Sequence, residues 1–284
     1  MYPEPIFFGL TSLYDLCLVI GIVLAMFLGD RMGIMRGFSV KLQKILILSV
    51  VIAIFSALFG AVFFQAVYNA IETGEFEITK STGMTFYGGF IFGVVAFLAS
   101  WFGLGAWKCK NGEAVKQFGS IADIAACLVP LGHAFGRLGC LTAGCCHGKI
   151  TDAWYGVTHH NLYIDGVFYE TVKVVPTQLF EALFLFALSG VLLWLFFGKF
   201  GKDNKGRFPL LPVYGAGYGI WRFLIEFTRA DHRGETIISA LTPSQFVAVV
   251  IIVASAIYFC IWLFKKRNII QRTESSEENK QKEE

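Results

Sequence analysis

The chain has 284 residues, 55% of them hydrophobic and 16% charged, and its mean hydropathy is +0.60. That balance excludes an ordinary soluble globular domain and makes a membrane protein the starting assumption. The net charge of +3 is spread over short loops and forms no basic stripe, which excludes a nucleic-acid partner.

A membrane-spanning helix needs roughly 20 mostly apolar residues, and seven such runs occur: Leu13 to Leu28, Leu42 to Tyr68, Met84 to Trp107, Phe118 to Phe135, Thr177 to Phe197, Leu210 to Thr228 and Pro243 to Phe264. The first has no basic stretch before it and no small-residue cleavage site after it, so it reads as a retained helix. The segment from Gly139 to Val175, with Trp154, Tyr155, Tyr163, Phe168 and Tyr169, is long and aromatic enough for a small extracytoplasmic head between helices four and five. No internal repeat appears. The expectation is an all-α integral membrane fold, one polytopic domain over residues 1–272 with its head near 139–175. Residues 273–284 hold no apolar side chain and read as a disordered cytoplasmic tail.

Basic residues alternate between loops. Arg31, Arg36, Lys41 and Lys44 follow the first run, Lys108, Lys110 and Lys116 the third, Lys199, Lys202, Lys205 and Arg207 the fifth, and Lys265, Lys266, Arg267 and Arg272 the seventh. The other loops carry only Lys80, then Lys149 and Lys173, then Arg229 and Arg233. The positive-inside rule then puts the N-terminus outside and the C-terminus inside. This direction gives each polar residue a depth. Tyr14, Tyr87-Gly88-Gly89, His133, Arg137, Gln178, Glu181, Arg222, Glu226 and Arg229 all fall in the outer half, with Tyr218 near mid-membrane. Tyr218, Arg222, Glu226 and Arg229 follow one another at spacings of four, four and three, which puts them on one helical face.

A charge inside a span costs several kcal/mol and is by default a functional hypothesis. The competing structural readings are an Arg222–Glu226 pair within one helix and an Arg137 that snorkels to the surface. Two arginines at one depth, with little carboxylate near them except Glu181 and Glu226, suggest a bound anion, and the guanidinium fork suits phosphate. The commonest anion at that depth is a phospholipid headgroup. No phosphate-binding loop, HExxH helix or GxSxG elbow is present. Cys140, Cys145, Cys146 and His147 lack the paired spacing of a zinc site, so no metal is expected. A disulfide from Cys140 to Cys145 or Cys146 is chemically permitted, and free thiols acting as small apolar groups is the simplest reading. Cys17, Cys109, Cys127 and Cys260 read as packing, and His159 and His160 as surface residues. His133, one turn before Arg137, is a candidate base.

Three segments together resemble the prolipoprotein diacylglyceryl transferases of bacterial inner membranes, in family order: GRLGCLTAGCCHG from Gly136, PTQLFE from Pro176 and YGIWRFLIEFTR from Tyr218. The resemblance implies that Arg137 binds phosphatidylglycerol, that Tyr218 and Arg222 act in catalysis, and that Tyr14 occupies a functional position. By the same resemblance Gly88, Gly89, Gln178, Glu181, Glu226 and Arg229 contact substrate. The implied reaction moves diacylglyceryl from phosphatidylglycerol to the lipobox cysteine of a preprolipoprotein signal peptide, in the inner membrane, with its site towards the outer leaflet and without a soluble cofactor or metal. Two positions depart from the best-known members: Tyr87 stands where they have a histidine proposed as base, and Cys145 where they have a glutamate. The base expected here is therefore His133, or Tyr87 if the arginines acidify it. A transporter is the alternative class, as is a lipid-binding homologue without activity.

Overall fold

The structure is a computed structural model describing residues 12–79, 82–164, 167–198, 208–229 and 241–283. In chain order its helices are α1 Leu13–Met35, α2 Val40–Thr73, α3 Phe86–Lys108, the single turn α4 Glu113–Lys116, α5 Phe118–Ala143, α6 Thr177–Phe197, α7 Leu210–Ile225 and α8 Pro243–Glu283. Two strands, β1 Val157–Ile164 and β2 Val167–Val174, lie between α5 and α6, and a 3-10 turn, Glu226–Thr228, follows α7. Six of the seven apolar runs form helices long and apolar enough to cross a membrane. The remaining run, Leu210 to Thr228, forms α7, only 16 residues, because its regular helix gives way to the 3-10 turn at Glu226. The chain is thus an all-α integral membrane fold with one small sheet, and the expected seven long helices become six and a shorter one. α8 also continues through the segment expected to be a disordered tail, whose Glu, Gln and Lys residues have good helix propensity. Lys80, residues 199–207 and Arg233, used for topology, lie outside the described residues.

The chain divides into two compact units, residues 26–121 and residues 1–25 with 122–284. In the smaller unit Ser39 caps α2, its Oγ accepting from Leu42 N at 3.2 Å and donating to Glu113 Oε2 at 3.0 Å. α2 and α3 meet through small residues. A Cβ on Gly88 would lie 2.5 Å from Gly60 O, and one on Gly89 would lie 3.1 Å from Ala57 O, so a larger residue would force the backbones apart. At these two glycines the helices approach closely.

In the larger unit α5 carries Pro130 in its interior, which removes one ladder hydrogen bond. Nearby, Ser189 Oγ of α6 donates to Cys127 O at 2.8 Å. Asp123 Oδ1 accepts from Leu210 N at 3.0 Å, satisfying an otherwise orphan donor at the start of α7. α8 opens with a capping box: Gln245 N donates to Thr242 Oγ1 at 3.2 Å and Thr242 N to Gln245 Oε1 at 3.1 Å, with Pro243 at the first helical position. The head is an antiparallel hairpin in which Val157 pairs Val174 and Ile164 pairs Val167. Ile164, Val172 and Val174 form its buried face, with Leu162 and Tyr169 packed against it.

Candidate active site

The end of α5 organises the site. Gly144, at φ +76°, terminates the helix while Gly144 N donates to Leu141 O at 3.3 Å and Cys145 N to Cys140 O at 3.2 Å. This is a Schellman turn, which brings the side chains of Cys140 and Cys145 together. Cys146 follows with φ +62°, a left-handed conformation that costs a non-glycine residue about 1–3 kcal/mol and needs support from its surroundings. The support comes from the first turn of α6. Thr177 Oγ1 donates to Cys146 O at 2.8 Å and Gln178 Nε2 to Cys145 O at 2.6 Å. All three sulfurs then lie within 4.8 Å of one another. Cys145 Sγ donates to Cys140 O at 3.8 Å, and the neighbouring Cys140 and Cys145, with Arg137 and Arg229 near, hold the Cys146 thiol below the ordinary thiol range.

One turn further along α6, Glu181 is fully buried and collects charge. Its Oε2 lies 3.0 Å from Arg137 Nε and 4.0 Å from Arg229 Nη1, and its Oε1 lies 3.7 Å from His133 Nε2. Arg137 Nε also donates to His133 Nε2 at 3.3 Å, which leaves Nε2 as the unprotonated nitrogen of a neutral ring. The Tyr218 ring meets His133 edge-on at 5.5 Å. Arg229 is brought in by backbone pairing. Gly148 bridges to Arg229, Lys149 N donates to Thr228 O at 3.0 Å, and a Cβ on Gly148 would lie 2.5 Å from Thr228 O.

Arg222 belongs to a second group. Its Nη1 lies 2.6 Å from Glu226 Oε2, and its Nη2 donates to Ser244 Oγ at 2.7 Å. Thr242 Oγ1 donates to Glu226 Oε1 at 2.9 Å, so the capping box of α8 also orients the carboxylate. The two carboxylates expected near the arginines are thus divided between them, Glu181 to Arg137 and Glu226 to Arg222, the latter being the competing within-helix pair. The arginines differ in access. The Arg137 side chain keeps 16% of its surface, that of Arg222 9% and that of Arg229 2%. Among the described residues Glu181 serves both Arg137 and Arg229, while Glu226 serves Arg222.

Tyr14 packs on Gly139, where a Cβ would lie 2.9 Å from the Tyr14 ring. Gln178 Oε1 is buried and accepts no hydrogen bond among the described residues. Tyr87, Gly88 and Gly89 belong to the smaller unit, where Tyr87 is exposed and meets Phe86 edge-on at 5.9 Å. His160 is exposed as expected, but His159 is buried, because alternation along β1 turns the two in opposite directions. Its ring lies 5.7 Å from that of His147. Thr242 and Ser244 were not singled out from sequence. Their signal was the Thr-Pro-Ser-Gln string of a capping box.

A family model described as prolipoprotein diacylglyceryl transferase matches residues 5–262. A Clostridium perfringens protein named phosphatidylglycerol--prolipoprotein diacylglyceryl transferase 2 is 30% identical over 257 residues, 89% of this chain and 92% of its own length. A Clostridium tetani relative bearing that name without the number is 29% identical over 269 residues, 93% of this chain and 100% of its own. A Pseudomonas fluorescens relative of the same name is 32% identical over 200 residues, 69% of this chain and 65% of its own. Since the match runs through every span and through each segment that builds the arginine and cysteine groups, the chain belongs to the prolipoprotein diacylglyceryl transferase family.

Proposed function

We propose that the chain transfers the diacylglyceryl group of phosphatidylglycerol to the lipobox cysteine of a preprolipoprotein signal peptide, the first step of lipoprotein maturation. The thiol sulfur attacks the glycerol carbon that bears the phosphate. A C–S bond forms, the C–O bond breaks, and its electron pair leaves on the phosphate oxygen as glycerol phosphate. The phosphate carries one negative charge in the lipid and approaches two on release, so a catalyst must favour added negative charge. The single observation supporting this reading is Arg137, the most accessible of the three guanidiniums and the one paired at 3.0 Å with the buried Glu181. Interactions that strengthen as charge develops lower the barrier.

His133 accepts the thiol proton. The support is its neutral ring, whose Nε2 lone pair is freed for the proton when Arg137 Nε turns from it to the phosphate; for this reason His133 is preferred to Tyr87. Gln178 Oε1 accepts from a headgroup hydroxyl, while Arg222, Glu226, Arg229 and Tyr218 hold the wall of the site. Both substrates are membrane-borne, and the alternation of basic loops supports a site facing the outer leaflet of a bacterial inner membrane. The assay incubates purified protein with phosphatidylglycerol and a lipobox peptide and looks by mass spectrometry for the thioether-linked diacylglyceryl product. Arg137→Ala should lower turnover by about 10²–10³-fold, the effect of losing one preorganised donor to a developing anion. Absence of product from the wild-type protein, under conditions where an active transferase works, would sink the reading.

A further inference from the structure

The three thiols at the end of α5 have no part in the reaction as written above, yet their geometry is the most elaborately supported in the site. No other trio of His, Cys, Asp or Glu among the described residues brings its ligand atoms within 4.8 Å of one another. A Schellman turn pairs Cys140 with Cys145, a left-handed residue turns Cys146 back, and Thr177 and Gln178 pin the carbonyls of residues 146 and 145. Such effort is unnecessary for thiols that merely fill space.

Their spacing suits a shared ion. Tetrahedral zinc, with bonds to sulfur of about 2.3 Å, sets its sulfurs about 3.8 Å apart. A disulfide would draw one pair to about 2.05 Å and leave the third thiol over. Thiolates select soft cations. Three protein ligands with a fourth position left open is the pattern of catalytic zinc, whereas structural zinc is closed by four. The next candidate ligand, His147, places Nδ1 3.1 Å from Gly148 O and is not part of the trio. Cys145 is exposed, so the trio can be reached from outside. Three thiolates and a dication would carry one net negative charge, and Arg137 and Arg229 lie within electrostatic reach to offset it.

We propose that Cys140, Cys145 and Cys146 bind a zinc ion whose open fourth position takes the thiol of the acceptor peptide. The proposal rests on the transferase reading above and deepens it. The bound thiol gives its proton to His133, and the thiolate sulfur then forms the new bond to carbon as the C–O electron pair leaves with glycerol phosphate. Zinc keeps its oxidation state throughout. This supplies thiol activation in a chain that lacks both the histidine at position 87 and the glutamate at position 145 expected from the family resemblance.

The test uses the full chain, purified in detergent with reductant. Loaded with Zn²⁺ and desalted, it should retain one zinc per chain, and Co²⁺ in its place should show thiolate-to-cobalt charge-transfer absorption. Cys140→Ser, Cys145→Ser and Cys146→Ser should each weaken zinc binding by at least about 100-fold. Cys17→Ser and Cys260→Ser should leave it unchanged, and a monodisperse elution profile checks that every variant is folded. A lipobox peptide should intensify the cobalt band, and its Cys-to-Ser counterpart should not. The proposal falls if reduced wild-type protein retains no zinc, if all three serine variants bind like wild type, or if turnover is undiminished after zinc is stripped. Zinc bound and responsive to the peptide, with no lipid product formed, would instead refute the transferase reading and leave the site standing.

Discussion

Arg222 is a buried cation held by Glu226 one turn along and by Ser244 at the start of α8. Removing one member of such a pair leaves the other charge uncompensated, at a cost of about 3–5 kcal/mol. Glu226→Ala should therefore destabilise the protein by about that amount, and replacing Arg222 by Met in the same chain should recover much of the loss. Thermal unfolding in detergent measures both, and a loss below about 1 kcal/mol would contradict the pairing described. The i,i+4 spacing of Arg222 and Glu226 is legible in the sequence, and so is the shared depth of Arg137 and Glu181. The choice of partner was not. Whether Arg229 joins Glu181 depends on the Gly148 bridge, a contact between residues about 80 apart that no local pattern encodes.

The head illustrates an element whose type was hidden by its setting. Val157–Ile164 and Val167–Val174 are rich in β-branched and aromatic residues and flank Asp165-Gly166, a strong short-range hairpin signal. Attention to apolar run length passes over strands of eight residues, and it overestimates α7, whose last turn changes winding where the Arg222–Glu226 pair forms. The hairpin has a titratable member. Burial, then the neighbouring His147, pushes His159 below the ordinary imidazole value. Between that folded value and the unfolded value of about 6.5 the unfolded chain binds more protons. Hairpin stability should then be full above about pH 6.5 and fall as the solution is acidified through the folded value. Hydrogen exchange of the β1 and β2 amides, corrected for intrinsic rate, should accelerate from pH 7 to pH 5 in wild type and respond less in His159→Gln. Equal protection at the two pH values in wild type would remove His159 from this role.

For the whole molecule, six spans and their order were legible because hydrocarbon admits so few backbone solutions. The packing of α2 on α3 was half legible: the glycines stand out in the sequence, but their partners Gly60 and Ala57 emerge only once the helices are paired. Orientation is a separate claim carried by Lys and Arg counts. A reporter that works only outside the cytoplasm should be inactive when fused after residue 272 and active when inserted in the head, and the reverse pattern would overturn the proposed N-out topology.

The grip of the arginines also bears on turnover. In the proposed reaction the more highly charged glycerol phosphate would be gripped by Arg137 more firmly than the monoanionic lipid phosphate it came from. The feature that speeds bond cleavage would then slow departure. Release of the water-soluble product, rather than the chemical step, would set the pace of the cycle, and free phosphate monoesters would compete with lipid for the enzyme.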